Sequence, residues 1–290
     1  MRKATVSARP CILTTHMHGP RSSFSQLFSL TLVAATLLSL PLHAQDANQI
    51  VHQAVDSEIR ASKADHSVWM YRDEDDSPGK RSTYNAIETP QGELRRLTEL
   101  NGQKLSPQAE QKEVVRIQHF LNDPGEQAKQ RRDGEHDDAQ AERFTRMLPE
   151  AFTWTIVSQQ GDATKLHYAP NPAFHAPSME ARVLAAMEGD MVVAHDGNRI
   201  QSLRGKLTHD VRFGYGLFGK MDAGGTFSVE RRAISPGLWE ITENHVHING
   251  HALIFKTISQ NSDEIKTGWK PSPDRTLADA AHDLGITASR

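Results

Sequence analysis

The chain has 290 residues, with 33 Lys and Arg against 36 Asp and Glu for a formal net charge of −3, and it contains a single cysteine. One cysteine excludes an internal disulfide and any metal site built from several thiolates of this chain. The acidic balance argues against nucleic acid as the main partner.

Residues 27–40 (LFSLTLVAATLLSL) carry no charge, follow a segment whose charges are Arg2, Lys3, Arg9 and Arg21, and run into Pro41-Leu42-His43-Ala44. That is the basic region, apolar run and small-residue site of a secretory signal peptide, with the cut expected after Ala44. A bilayer span needs roughly 20 apolar residues, so the run is short for a transmembrane helix. An uncleaved anchor over Phe24–Leu42 is the competing reading. The start is Met1 or, with a more ordinary basic region, Met17. Residues 1–44 are thus read as a signal peptide and 45–290 as one β-rich domain of a periplasmic or secreted protein. Cleavage removes Cys11 and four basic residues but no acidic one, leaving a thiol-free, more acidic chain whose membrane association is peripheral at most.

Past the cut, Asp46 and Gln49 have capping-box spacing, and Ile50, Val51, Ala54, Val55 and Ile59 share one helical face. Strands are expected at Ser67–Arg72 and in a hairpin of Arg81–Thr89 with Gly92–Glu99 around Pro90-Gln91-Gly92. From about 106 to 150 the chain becomes highly charged and is read as a helical insertion broken at Asn122-Asp123-Pro124-Gly125. Its apolar stripes are Val114, Ile117 and Leu121, then Phe144, Met147 and Leu148, with a solvated middle from Glu126 to Glu142. The remainder is strand-dominated, at 152–158, 165–168, 190–194, 200–207, 226–232, 238–248 and 251–260. It closes on a short helix through Leu277, Ala280, Ala281 and Leu284 that follows a Pro271 and Pro273 spacer. No long helices alternate with these strands, which argues against a parallel sheet. The fold class is α+β: a curled antiparallel sheet, an incomplete barrel, with an N-terminal helix and a helical insertion.

Asn249-Gly250 is a hairpin signal that would pair Ile248 with His251. One face then carries Val246, Ile248, Leu253 and Phe255, and the other Trp239, Ile241, Ile254 and Ile258. The same register bears on the histidine cluster His245, His247 and His251. His245 and His247 share a strand face, with Glu243 as a third donor, whereas His251 points away, which leaves two histidine ligands at most. Asp73, Glu74, Asp75 and Asp76 fail as a calcium loop, because Pro78 and Tyr84 stand where Gly and Glu are required. Residues 213–227, though glycine-rich, lack phosphate-loop spacing, and no recognised catalytic motif is present.

The order of elements resembles the periplasmic lipoprotein-carrier (LolA/LolB-like) half-barrel superfamily, incomplete barrels whose concave face shelters acyl chains under helices. More locally, Glu88–Leu105 (ETPQGELRRLTELNGQKL), Met187–Gly189, Phe213–Phe227 and Ala252–Ser259 (ALIFKTIS) look like a set of uncharacterised secreted bacterial proteins. The charged segment 106–150 is larger than such carriers have, and no carrier signature residue falls on a number here, so no binding residue is transferred. The residues themselves nominate Trp69, Tyr71, Trp154, Phe213, Phe218, Trp239 and Phe255 as an apolar wall, roles they share with plain core. The leading expectation is a non-catalytic, cofactor-free protein that shelters a hydrophobic or lipidic ligand, or a lipidated segment. An envelope protein-interaction or sensor module is the second, and a metal-dependent enzyme using His245 and His247 the third. A large apolar cavity favours the first, a filled interior the second, and converging His and carboxylate groups in a cleft the third.

Overall fold

The computed structural model describes residues 46–213, 219–252 and 261–286. Helix α1 (Ala47–Ala64) starts where Asp46 accepts the Asn48 amide, and its apolar stripe of Ile50, Val51, Ala54, Val55 and Ile59 is buried. A four-strand meander follows, β1 (Trp69–Ser77), β2 (Lys80–Thr89), β3 (Gly92–Leu100) and the two-residue β4 (Gln103–Lys104). Helices α2 (Pro107–Asn122) and α3 (Pro124–Ala151) come next. Each opens on a proline, which has no N–H to leave unpaired, and each is capped by the preceding Ser106 or Asp123 side chain.

The second half contains β5 (Phe152–Gln160), β6 (Ala163–Pro170), helix α4 (Met179–Leu184), β7 (Met187–Ala194), β8 (Arg199–Leu207), β9 (Val211–Phe213) and β10 (Gly219–Met221). It continues through β11 (Thr226–Ser235), β12 (Leu238–His247), β13 (Gly250–Ala252) and β14 (Ser262–Pro271) to helix α5 (Leu277–Asp283). Eleven strands form one antiparallel sheet in the order β4-β3-β2-β1-β14-β12-β11-β8-β7-β6-β5, and β13-β10-β9 form a small second sheet. The sheet is not closed, because β4 and β5 stay at its edges. Helices α2 and α3 link those two edge strands, so the segment read as an insertion is the connection across the open seam.

Helix α3 gives the curvature a scale. Gln130 donates to the Glu93 carbonyl of β3 at 3.0 Å, and the Leu148 carbonyl accepts the Trp154 indole N–H of β5 at 3.1 Å. From Gln130 to Leu148 the helix advances about 27 Å at 1.5 Å per residue. The path from β3 to β5 through the sheet is roughly 43 Å at about 4.8 Å per strand. The chord is well short of the arc, so the sheet bends around α1, an incomplete barrel as expected.

The register shows which residues share the inner face. Asp73 stands opposite Lys266, Asn244 opposite Glu264, Val246 opposite Phe227, Phe227 opposite Gly205, Gly189 opposite Tyr168, and Tyr168 opposite Trp154. Over β5 to β8 this face is closed by α1: Val51, Ala54, Leu166 and Met191 are wholly buried. Burial of this kind contributes about 1.5–3 kcal/mol for each large aliphatic side chain. Here Glu58 of α1 accepts from Arg199 (3.1 and 3.0 Å), from the Ile200 amide (2.6 Å) and from Arg231, tying the helix to β8 and β11. On the outer face of β2 and β3, Ile87 and Leu94 pack with Ile117 of α2, with Leu277 and Ala280 of α5 and with Leu284 at its C-terminal cap.

Two expectations are corrected. Asn249-Gly250 is not a two-residue hairpin: β12 ends at His247 with β11 and β14 on its two sides, and Gly250 and His251 pair with Met221 and Lys220 of β10. Gly250 serves close approach instead, since a Cβ there would lie 2.4 Å from the Lys220 carbonyl oxygen. Pro271 is the last residue of β14, an unexpected strand that lies mid-sheet between β12 and β1, so the spacer before α5 is shorter than expected and runs over residues 272–276 with Pro273 in it. Leu253, Ile254, Phe255 and Ile258 lie outside the described residues. No helix among the described residues is long and apolar enough to cross a membrane.

Candidate functional site: a polar and aromatic cluster on the inner face

Beyond the half of the inner face that α1 closes, the face formed by β3, β2, β1, β14 and β12 has a different character. Strand β1 alternates, burying Trp69, Tyr71 and Asp73 while Met70 faces the α2 and α5 side. Tyr71 lies opposite Ala86 of β2, which lies opposite Arg95 of β3, and Glu88 opposite Glu93. Trp269 of β14 stacks on Tyr71 with ring centroids 4.5 Å apart and meets Trp69 edge-on at 6.3 Å. Lys266 Nζ lies 5.3 Å from the Tyr71 ring centre, and the Arg95 guanidinium lies 4.3 Å above the Tyr84 ring.

Around these rings the charges are unbalanced. Buried Asp73 pairs with half-buried Arg95, the Tyr71 hydroxyl donates to Glu93 at 3.0 Å, and Glu88 accepts the Trp69 amide at 2.9 Å. Asp73, with 1% of its side chain exposed, is pushed up to about 6 by burial, against the opposing pull of Arg95. Burial pushes Glu88 up to about 7, opposed by the Trp69 amide and reinforced by Glu93 and Glu240. Glu240 is also raised, by burial and then by Asp65, and the Tyr71 phenol is raised by burial and the carboxylates Glu93 and Glu88. Asp73 Oδ1, Trp69 Nε1 and Arg95 Nε are buried without a close hydrogen-bond partner among the described residues; the Trp69 indole interacts with Glu240 and Arg95 Nε lies 3.9 Å from Glu93, which leaves Asp73 Oδ1 as the atom without a counterpart. An unpaired buried polar atom is rare in native folds and costs about 1–3 kcal/mol, which marks this patch out. Raised carboxyl groups clustered in one place point the same way.

The structure brings only some of the nominated residues together. Trp69 and Tyr71 belong to the cluster. Trp154 lies apart at the β5 edge, against Phe152 and Tyr168, and lines a cavity of about 640 Å³ with Phe174 and Asn48. Trp239 is half-buried, 5.9 Å from the Arg199 guanidinium. Phe218, Phe255 and the side chain of Phe213 lie outside the described residues. The apolar wall is therefore not one wall: its β5 to β8 portion is filled by α1. Sequence reasoning missed Asp73, Glu88, Arg95, Glu240, Lys266 and Trp269. The signal for Asp73 was present, because Trp69, Tyr71 and Asp73 alternate.

His245 and His247 share the outer face as expected. His245 Nδ1 lies 2.6 Å and His247 Nε2 3.0 Å from the same Asp263 oxygen, contributed by β14, while Glu243 is 3.6 Å from His245 Nε2. They border a groove of about 400 Å³ with Arg204, Lys206 and Asp190. Among the described residues, the group of three metal-type donors with all ligand atoms within 4.8 Å of one another is instead His119, Asp123 and Glu126, at the joint of α2 and α3.

No family model matches the chain. No curated protein matches it either. Among solved structures, a DUF1329 family protein from Desulfovibrio piger is similar at 9% identity and a TM-score of 0.24, over 82% of this chain and 99% of that one. A score that low carries no argument about fold or activity, and the likeness to lipoprotein carriers rests on element order alone.

Proposed function

We propose that this chain is an exported, non-catalytic binding protein that shelters an amphipathic ligand on the open half of its inner face. The observation that carries this reading is the coincidence, on one patch, of the Trp69, Tyr71 and Trp269 rings with a buried Asp73 oxygen that has no hydrogen-bond partner among the described residues. Trp69 and Tyr71 are buried with Ile234 and Leu238 packed against them, so the half-buried Trp269 ring is the apolar surface offered to a ligand, and the unpaired Asp73 oxygen is the acceptor a polar group would meet. Export is supported by the uncharged run 27–40 and the Leu42-His43-Ala44 site. The packed α1 half leaves the β1, β14 and β12 half as the place where a ligand would rest.

Calorimetric titration with a single-chain dodecyl amphiphile below its micelle concentration tests this. Binding should show a negative heat-capacity change, the mark of apolar burial. Trp269→Ala should weaken it about fivefold or more while leaving the far-ultraviolet spectrum unchanged. If no amphiphile binds, or Trp269→Ala leaves affinity as it was, the reading is wrong.

One observation favours docking of a protein as a second reading. Edge strand β5 (FTWTIVSQQ) is nine residues long and uncharged, with Val157 55% exposed. Unprotected edges of this kind accept a further strand, although the bulge between Ile156 and Ser158 limits the regular part to its first half.

A further inference from the structure

Resting on that reading, we infer that the sheltered ligand carries a basic amine and that the carboxylates around Tyr71 and Trp269 are its counter-charge. Asp73 on β1, Glu88 on β2, Glu93 on β3, Glu240 on β12 and Glu264 on β14 interact electrostatically across this patch. Among the described residues, Arg95 and Lys266 lie within it. Arg95 pairs with Asp73 and lies 3.9 Å from Glu93, and Lys266 lies over Tyr71 with its ammonium 3.4 Å from Glu264. Arg231, which pulls Glu240 down, is also bonded to Glu58 of α1, and Asp65 beyond α1 adds further negative charge at Glu240. Carboxylates thus outnumber the available cations.

Acidic groups alone would not define a site, but two further observations point to a ligand. Asp73 is almost completely buried and keeps one oxygen without a hydrogen-bond partner among the described residues. The rim is open as well: Glu93, Glu264 and Lys266 side chains are 32%, 30% and 23% exposed. Aromatic faces with carboxylates at their edges are the chemistry that holds an alkylammonium group, by cation–π attraction and ion pairing together. Lys266 over Tyr71 shows the arrangement already in use, with the protein's own ammonium in the place a ligand's would take. The raised Glu88 and Asp73 carboxyls fit this account, since burial raises both against the pull of the cations near them, Arg95 and Lys266 at Asp73 and Lys266 at Glu88.

Three probes with the same tail separate the charge from the chain: dodecylamine, dodecanoate and dodecyl maltoside, titrated into the mature protein. At pH 7.5 the amine should bind about tenfold more tightly than either other probe. An alkylammonium stays protonated up to about pH 10. Its arrival should therefore release protons from the carboxyls, read as a dependence of the binding heat on the buffer's ionisation enthalpy. Its advantage should shrink towards pH 5.5. Glu88→Gln with Glu240→Gln should remove most of the preference and leave the maltoside affinity unchanged. Lys266→Ala should raise amine affinity severalfold, which a merely structural lysine would not do. Equal binding of the three probes, or tighter binding of dodecanoate, overturns the amine inference and leaves the sheltering reading standing. Failure of all three to bind overturns both.

Discussion

Replacing Glu88 by glutamine should stabilise the protein, and only at the alkaline end. Glu88 is half-buried, accepts the Trp69 amide at 2.9 Å and has its carboxyl raised from 4.5 to about 7, chiefly by burial. A carboxyl whose pKa is higher in the folded chain binds its proton more tightly there. Its favourable contribution is therefore complete below the unfolded value and is lost as pH rises through about 7. At about 1.4 kcal/mol per pH unit the ceiling on that loss is about 3.5 kcal/mol. Allowing for the partly solvated rim and for coupling to Glu93 and Glu240, about 2 kcal/mol is expected. Glutamine keeps an oxygen for the Trp69 amide and has no charge to bury. For a chain of this size, each kcal/mol moves the melting temperature by about 2–4 °C. Calorimetric scans should show Glu88→Gln melting about 4–8 °C above the parent at pH 8 and close to it at pH 5. A difference that stays constant from pH 5 to 8, or a variant less stable than the parent at pH 8, would refute the assignment of Glu88 as a carboxyl raised by burial.

Glu58 should behave in the opposite way. It is held below the usual carboxylate range by Arg199 and Arg231 against the cost of burial, so its contribution is present at neutral pH and lost as pH falls through its lowered pKa. Glu58→Ala strands two buried guanidinium groups and should cost about 3–5 kcal/mol in urea unfolding at pH 7, with the penalty shrinking in acid. Gly189→Ala should be among the most damaging small substitutions, because the new Cβ would sit 1.9 Å from the Arg204 carbonyl oxygen, which is backbone. A loss of about 1–3 kcal/mol or more is expected by the same unfolding assay, and a neutral result would contradict the close β7 to β8 approach. N-terminal sequencing of the exported product should begin at or near Gln45, whereas a product retaining Met1 or Met17 would contradict export with cleavage.

Much of the frame was legible because its apolar periodicity is local. The α1 stripe, the hairpin of β2 with β3, and Leu277, Ala280, Ala281 and Leu284 of α5 all bury as their spacing predicts. Ile117, on its narrow stripe in a charged helix, is wholly buried. Strand β14 was not legible, because SDEIKTGWKP carries Asp263, Glu264, Lys266 and Lys270 where a mid-sheet strand is expected to be apolar. It sits mid-sheet because half of the inner face is polar. That same fact hid the candidate site, since an expectation of an apolar wall selects tryptophans and passes over the carboxylates between them. Neighbouring strands also competed for the edges of β12: β14 occupies the side an Asn249-Gly250 hairpin would have used, and β10 takes β13. Pairings between distant segments of this kind leave no mark in local spacing.

Native mass spectrometry of the mature protein, purified gently from the exported fraction, tests the central claim most directly. The account predicts a co-purified small molecule on the parent, retained at neutral pH and lost both in acid and in the Trp269→Ala variant. A parent that flies at its bare polypeptide mass under conditions that preserve the fold, or an adduct that Trp269→Ala leaves untouched, would contradict the assignment of the inner-face cluster as a ligand site.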